Sequence, residues 1–197
     1  MRLEDDPAAP RAFSDGIAAI AERIDRPIVL VGLMGAGKST VGRKLASLLH
    51  TGFVDADEAI EDAAQLSIAE IFEQFGEAYF RDGERRVIAR LIEDGAAAKG
   101  GVIATGGGAF VNDETRALIL KSAIAVWIDC DIDTLVERTS RRNTRPLLRD
   151  GNPHEILSRL YAQREPFYAE AQVRVASQSA PHHETAVAIL EAIGKWL

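Results

Sequence analysis

Residues Ile28 to Val31 read Ile-Val-Leu-Val and run straight into Gly32-Leu-Met-Gly35-Ala36-Gly37-Lys38-Ser39-Thr40. An uninterrupted apolar run of this length predicts a short strand buried on both faces. The segment after it fits the spacing GxxxxGK(S/T), in which glycines let the backbone wrap phosphate oxygens without Cβ clashes. Val41, Leu45, Leu48 and Leu49 follow at helical spacing, so the loop opens a helix whose vacant backbone donors and dipole favour an anion. Lys38 is then placed to reach the outer phosphates of a nucleotide, and the Ser39 hydroxyl to sit on Mg²⁺. A plain glycine-rich turn is the simpler alternative, but a strand before and a helix after are the context a phosphate loop requires.

The rest of the chain repeats the alternation that such a loop demands. Gly52 to Asp55, Val102 to Thr105, Ala125 to Asp129 and Val173 to Ala176 read as further strands, with helical patterns between them. Ser67-Ile-Ala-Glu70 is a capping-box signature, and the helix it opens should close at Gly76. A second helix spans about Ala78 to Glu93, followed by a loop from Gly95 to Gly101. Asn112 or Asp113, then Asp131, can cap two more helices. A helix from His154 to Arg164 is expected to be interrupted by Pro166, and an amphipathic helix from Thr185 closes the chain. Alternating strands and helices argue for an α/β fold, a parallel sheet covered on both faces with ligands beyond the carboxyl ends of its strands.

Residues 1 to 11 read as a loose tail, and Phe13, Ile17, Ile20, Ala21 and Ile24 mark one face of a helix before the first strand. We therefore expect an amino-terminal extension over residues 1–25 and one domain over 26–197. Residues 141 to 153, basic and broken by Asn, Gly and Pro, have the composition of a mobile loop. A formal net charge of −7 gives no general attraction to nucleic acid or to anionic membrane. Cys130 is the single cysteine and should be a buried structural thiol. No apolar run approaches the ~20 residues that span a bilayer, and no signal segment opens the chain, so the cytoplasm is the expected compartment.

Asp55 and Asp57 lie two apart at a strand end, where alternate residues face one way. Beside a phosphate loop, two such carboxylates can serve a metal shell and a hydroxyl being activated. Phe80-Arg81-Asp82 offers a guanidinium fork for a small anion, although spacing alone does not choose among Arg81, Arg85 and Arg86. Gly106-Gly107-Gly108 either lets backbone approach a ligand closely or is a flexible turn. Arg145, in Arg145-Pro146-Leu147-Leu148, the stiffest part of the loop over 141–153, is our choice for neutralising charge on a moving phosphoryl group. Arg164, ahead of Pro166, is a second candidate anion ligand. His50, His154, His182 and His183 have no partner at a recognisable spacing and receive no role.

Together these segments, in this order across about residues 28 to 176, closely resemble the shikimate kinase family. The resemblance implies a three-layer P-loop NTPase fold, with a five-stranded parallel sheet in the order 2-3-1-4-5 and a lid loop. It implies phosphoryl transfer from ATP, with Mg²⁺, to the 3-hydroxyl of shikimate on the way to aromatic amino acids. It places Gly35 to Thr40 on the nucleotide phosphates, Asp55 with Ser39 at the metal and Asp57 on the hydroxyl as base or orienter. Arg81, Arg164 and the backbone of Gly106 to Gly108 hold the substrate, Phe72 and Phe80 line its ring, and Glu84 orients Arg81. Arg138 stacks on adenine, which Pro181 borders, and Arg145 touches the transferring phosphate. The family is usually monomeric. Two departures stand out: the stretch before Arg26 exceeds the family minimum, and Ala176-Ser-Gln-Ser-Ala-Pro181 lacks an arginine often found there. The rival readings are a kinase for another hydroxy acid such as gluconate, a nucleoside monophosphate kinase, disfavoured because Leu33-Met34 replaces that group's proline-glycine pair, and a nucleotide-binding module without transfer activity.

Overall fold

β1 (Ile28–Val31) is buried along its whole length and stands at the centre of a five-stranded sheet. The computed structural model describes residues 8–97, 100–140, 151–177 and 181–197. The strand order is β2 (Phe53–Asp55), β3 (Val102–Ala104), β1, β4 (Ile124–Asp129) and β5 (Val173–Ala176), the order expected, with every neighbouring pair parallel. Leu30 lies opposite Ala104 on one side and Val126 on the other. β4 carries Ile124 to Ile128 inside, as a strand covered on both faces must.

The chain sets out from β1 in one direction across the sheet, turns back at the edge strand β2 and passes β1 on its return. From β1 it moves outward through α2 (Lys38–Leu48) to β2. It returns through α3 (Ala56–Ala64) and α4 (Ile68–Ala97) to β3, then passes through α5 (Asp113–Ser122) to β4. It continues through α6 (Ile132–Ser140) and α7 (Pro153–Tyr168) to β5. Right-handed crossovers put α2 on one face and the returning helices on the other. α8 (His182–Trp196) packs with α2, and α4 packs with α5. The crevice lies where the segments leaving β1 and β3 part. There the Thr105 amide and hydroxyl both donate to the Leu30 carbonyl, at 3.2 and 3.0 Å, which keeps the two segments together.

Local signals set most boundaries. Glu70 accepts from the Ser67 amide and hydroxyl at 2.8 and 2.6 Å, completing the capping box. Asn112 takes the Thr115 amide at 3.0 Å, and Asp131 the Thr134 amide at 2.8 Å. Gly76, at φ 79° and ψ 175°, breaks α4 as expected, a conformation that favours glycine.

Several boundaries differ from expectation, and α8 begins at His182, three residues before Thr185. α4 runs on to Ala97 through Gly95, because Gly95 lies against Pro27, where a Cβ would meet the ring at 2.9 Å. α7 passes through Pro166 to Tyr168, since Pro166 and Ala162, four residues earlier, are exposed and water can take the freed carbonyl. The first helix, α1 (Ala8–Arg23), begins inside the stretch read as tail. α1 rests on α8: Arg23 donates to the Gly194 carbonyl at 3.2 Å, and Ile20 lies where a Gly194 side chain would be, 2.9 Å from an added Cβ. No helix among the described residues is long and apolar enough to cross a membrane.

Candidate active site

The phosphate loop links β1 to α2. Gly35 and Gly37 have φ of 86° and 89°, left-handed values that the sharp turn requires. No side chain caps the α2 amino terminus, so its first amides remain donors for an anion. Lys38 folds back along the loop and donates to the carbonyls of Gly32 and Leu33 at 2.7 and 2.9 Å. It is buried, and Glu84 is the other buried charged side chain among the described residues. Both stand at this crevice, and a buried charge in a cleft is a candidate for a functional site.

Ser39 donates its hydroxyl to Asp55 Oδ2 at 2.5 Å. The other oxygen of Asp55 accepts the Asp57 amide at 3.1 Å and so caps α3. The two acids are therefore not paired along one extended strand: Asp55 ends β2, and Asp57 sits in the first turn of α3. Asp57 is held above the usual carboxylate range, chiefly by burial and then by the Asp55 charge, while Lys38 and Arg81 pull it the other way.

The triple glycine is where the acidic and basic groups meet. A Cβ on Gly106 would lie 2.8 Å from Asp57 Oδ1 and 3.1 Å from Glu84 Oε1. One on Gly108 would lie 2.7–2.9 Å from the Arg81 guanidinium. One on Gly107 would lie 3.2 Å from the Met34 amide of the phosphate loop and 3.5 Å from Arg164 Nη1. Three successive positions without side chains thus let α3, α4, α7 and the phosphate loop converge on one strand end.

Among the three arginines that spacing left open, the structure puts Arg81 in the crevice. It donates to Glu84 Oε2 at 2.8 Å and to Glu77 Oε1 at 3.2 Å. Arg85 pairs with Asp82 and Glu114, and Arg86 with Asp82, on the outer side. Burial raises the Glu84 carboxyl from its ordinary value, and the Arg81 guanidinium opposes that rise. Phe80 is buried with its ring 4.7 Å from that of Phe72, which is partly exposed, and the Arg81 guanidinium lies 5.1 Å from the Phe80 centroid. Arg164 donates to the Gly107 carbonyl at 3.1 Å.

On the loop's other side, Arg138 of α6 reaches the Ala36 carbonyl at 3.4 Å and Cys130 Sγ at 3.8 Å. Burial pushes the Cys130 thiol up to about 11, in keeping with a structural role. Pro181 caps the start of α8 at the surface, and Thr40 is exposed. Arg145 and most of the expected lid lie outside the described residues.

Three contacts at the site went unread in the sequence. Tyr168 donates a short hydrogen bond to the Gly107 carbonyl. Its signal was available, since it stands four residues, one helical turn, after Arg164. Glu61 adds negative charge near Asp57. His182 lies against the phosphate loop, 3.3 Å from where a Gly37 Cβ would be, and burial and Arg138 lower its affinity for a proton.

The family model described as "Shikimate kinase" matches residues 34–194. A shikimate kinase of Novosphingobium aromaticivorans is 61% identical over 184 residues, 93% of this chain and 95% of that one. One of Caulobacter vibrioides is 51% identical over 180 residues, 91% of this chain and 86% of its own. Among solved structures, shikimate kinase from Acinetobacter baumannii in complex with shikimate superposes with a TM-score of 0.80 at 36% identity, covering 88% of this chain and 96% of that one. By fold, site and likeness, the chain belongs to the shikimate kinase family.

Proposed function

We propose that this protein transfers the terminal phosphoryl group of ATP to the 3-hydroxyl of shikimate, giving shikimate 3-phosphate and ADP. The observation that carries the reading is the position of Asp57: it stands against Gly106, within electrostatic reach of both Lys38 and Arg81. A hydroxyl held there faces the end of a nucleotide seated on the phosphate loop. The site of a small acid is cationic on both sides of the triple glycine, through Arg81 and Arg164, and a planar fork binds a carboxylate in two places at once. Phe72 and Phe80 supply the apolar wall for its ring.

In the transfer, the acceptor oxygen bonds to the γ-phosphorus as the bond to the β,γ-bridging oxygen breaks. ADP carries away the electron pair, and the hydroxyl proton passes to Asp57. Because the phosphoryl group moves through a loose transition state, the protein's work is orientation and charge neutralisation. Lys38 exchanges its loop carbonyls for the outer phosphates. Gly35 to Thr40 bind them through backbone amides. Arg145 neutralises the group in flight, and closure of residues 141–153 excludes water that would otherwise hydrolyse ATP. Arg138 stacks on the base, and Pro181 borders it.

The donor set suits Mg²⁺. The Ser39 hydroxyl and Asp55 carboxylate are adjacent hard oxygens, and no group of three or more His, Cys, Asp or Glu side chains among the described residues could hold a metal ion. Such a site shares its ion with nucleotide phosphates and water, as Mg²⁺ prefers. Ser39 would hold it directly and Asp55 through water; when bound, it neutralises charge on the phosphates.

The proposal further comprises an extension over residues 1–25, a catalytic domain over 26–197, and a cytoplasmic monomer without nucleic-acid or membrane partners. The net charge of −7 is in keeping with that set. The deciding experiment is an acceptor panel with ADP release as readout. Shikimate should stimulate release at least tenfold over gluconate and over nucleoside monophosphates. Equal or greater stimulation by another acceptor overturns the substrate, and none by any acceptor favours a nucleotide-binding module.

A further inference from the structure

The Gly107 carbonyl has two partners. Arg164 Nη1 donates to it at 3.1 Å, and so does the Tyr168 hydroxyl. Both lone pairs of one peptide oxygen are therefore engaged by groups one turn apart on α7. Their anchoring differs. Arg164 is half-buried at the crevice, with most of its five donors not spent on Gly107. Tyr168 is locked: 1% of it is exposed, and its ring lies 6.0 Å from that of Trp127 in the core of β4. The peptide they share lies between the Gly106 position that faces Asp57 and the Gly108 position that faces Arg81. Glycines on either side give this peptide no side chain to hold its rotation.

We propose that Tyr168 is a positioning residue for the acidic substrate: its hydroxyl fixes the Gly107 carbonyl as a post, and the post aims the Arg164 fork at the carboxylate. One Arg164 donor stays on the post, the Tyr168 hydroxyl stands beside the fork as well, and the donors left over are available to the anion. Tyr168 touches neither the nucleotide nor the acid. This inference rests on the reading of Arg164 as a carboxylate ligand. It identifies the core, through Trp127, as what gives a half-buried arginine a defined direction.

Tyr168→Phe removes only the hydroxyl and keeps the ring against Trp127. Calorimetric titration of the full chain with shikimate should show the dissociation constant raised about 3- to 10-fold, the worth of one net hydrogen bond. ATP affinity should stay within twofold, which a general loosening of the fold would not allow. In an Arg164→Ala background the same substitution should change shikimate binding by less than twofold, because the group being aimed is gone. With the methyl ester of shikimate, the Tyr168→Phe effect should likewise shrink below twofold. A shikimate constant within twofold of wild type overturns the proposal. So does an equal loss for shikimate and ATP, or a full effect that persists without Arg164. Titration reads binding and not turnover: a wild-type chain that binds shikimate but releases no ADP overturns the transfer reaction alone. One that binds no shikimate overturns both readings.

Discussion

Glu84 is 2% exposed and holds Arg81 Nη1 at 2.8 Å, so the guanidinium that faces Gly108 is aimed by an acid with almost no access to water. The surface partner of Arg81, Glu77, adds little, because exposed pairs are screened. The direction of Arg81 is therefore set from inside. Glu84→Gln keeps the shape and removes the charge. A hydrogen bond to a charged group is worth about 1.5–3 kcal/mol, so KM for shikimate should rise by about tenfold or more while KM for ATP stays within twofold. Equal changes in both would mean that Glu84 only supports the fold.

Asp57 carries a prediction with a sign. Burial raises it in the folded chain, so between the unfolded and folded values folding takes up a proton. Stability then falls as pH rises through that window, and above it the ionised Asp57 destabilises the nucleotide-free fold. Asp57→Asn should therefore melt higher than wild type at pH 7, with the gap closing as pH falls to the ordinary aspartate value of 3.8. Its turnover should drop about 10²- to 10⁴-fold, the usual worth of a general base. A variant that melts below wild type at pH 7 would show Asp57 to be stabilising as an anion.

What the sequence made legible followed from local chemistry. The phosphate loop, the capping box at Ser67 and Glu70 and the break at Gly76 each depend on residues close together in the chain, and each stands where expected. What escaped depends on neighbours distant in the chain. Gly95 ends no helix because Pro27 packs on it. Pro166 breaks no helix because its turn faces water. Arg81 could not be told from Arg85 and Arg86 because Asp82 and Glu114 hold those two outside, and only the folded chain shows that. Asp55 and Asp57 were read as strand neighbours, whereas the Asp55 cap turns the chain into α3 between them.

The contact between α1 and α8 tests whether the extension belongs to the folded unit. Ile20 occupies the space beside Gly194, 2.9 Å from any Cβ added there. Gly194→Val should cost about 1–3 kcal/mol through overpacking, read as a lower thermal midpoint, with kcat unchanged well below it. An unchanged midpoint would mean that α1 yields freely.

Removing the fork itself should separate the two substrates. Arg81→Ala should raise KM for shikimate about 10²-fold or more, the scale of a truncated bidentate ion pair, and leave ATP binding intact. An unchanged shikimate titration would remove Arg81 from the site.

The most direct measurement is ³¹P NMR of the products formed from ATP, Mg²⁺ and shikimate. One new phosphate monoester, coupled to the proton on carbon 3 of shikimate and formed in step with ADP, is the expected result. Inorganic phosphate and ADP without that ester would contradict the placement of an acceptor hydroxyl at Asp57.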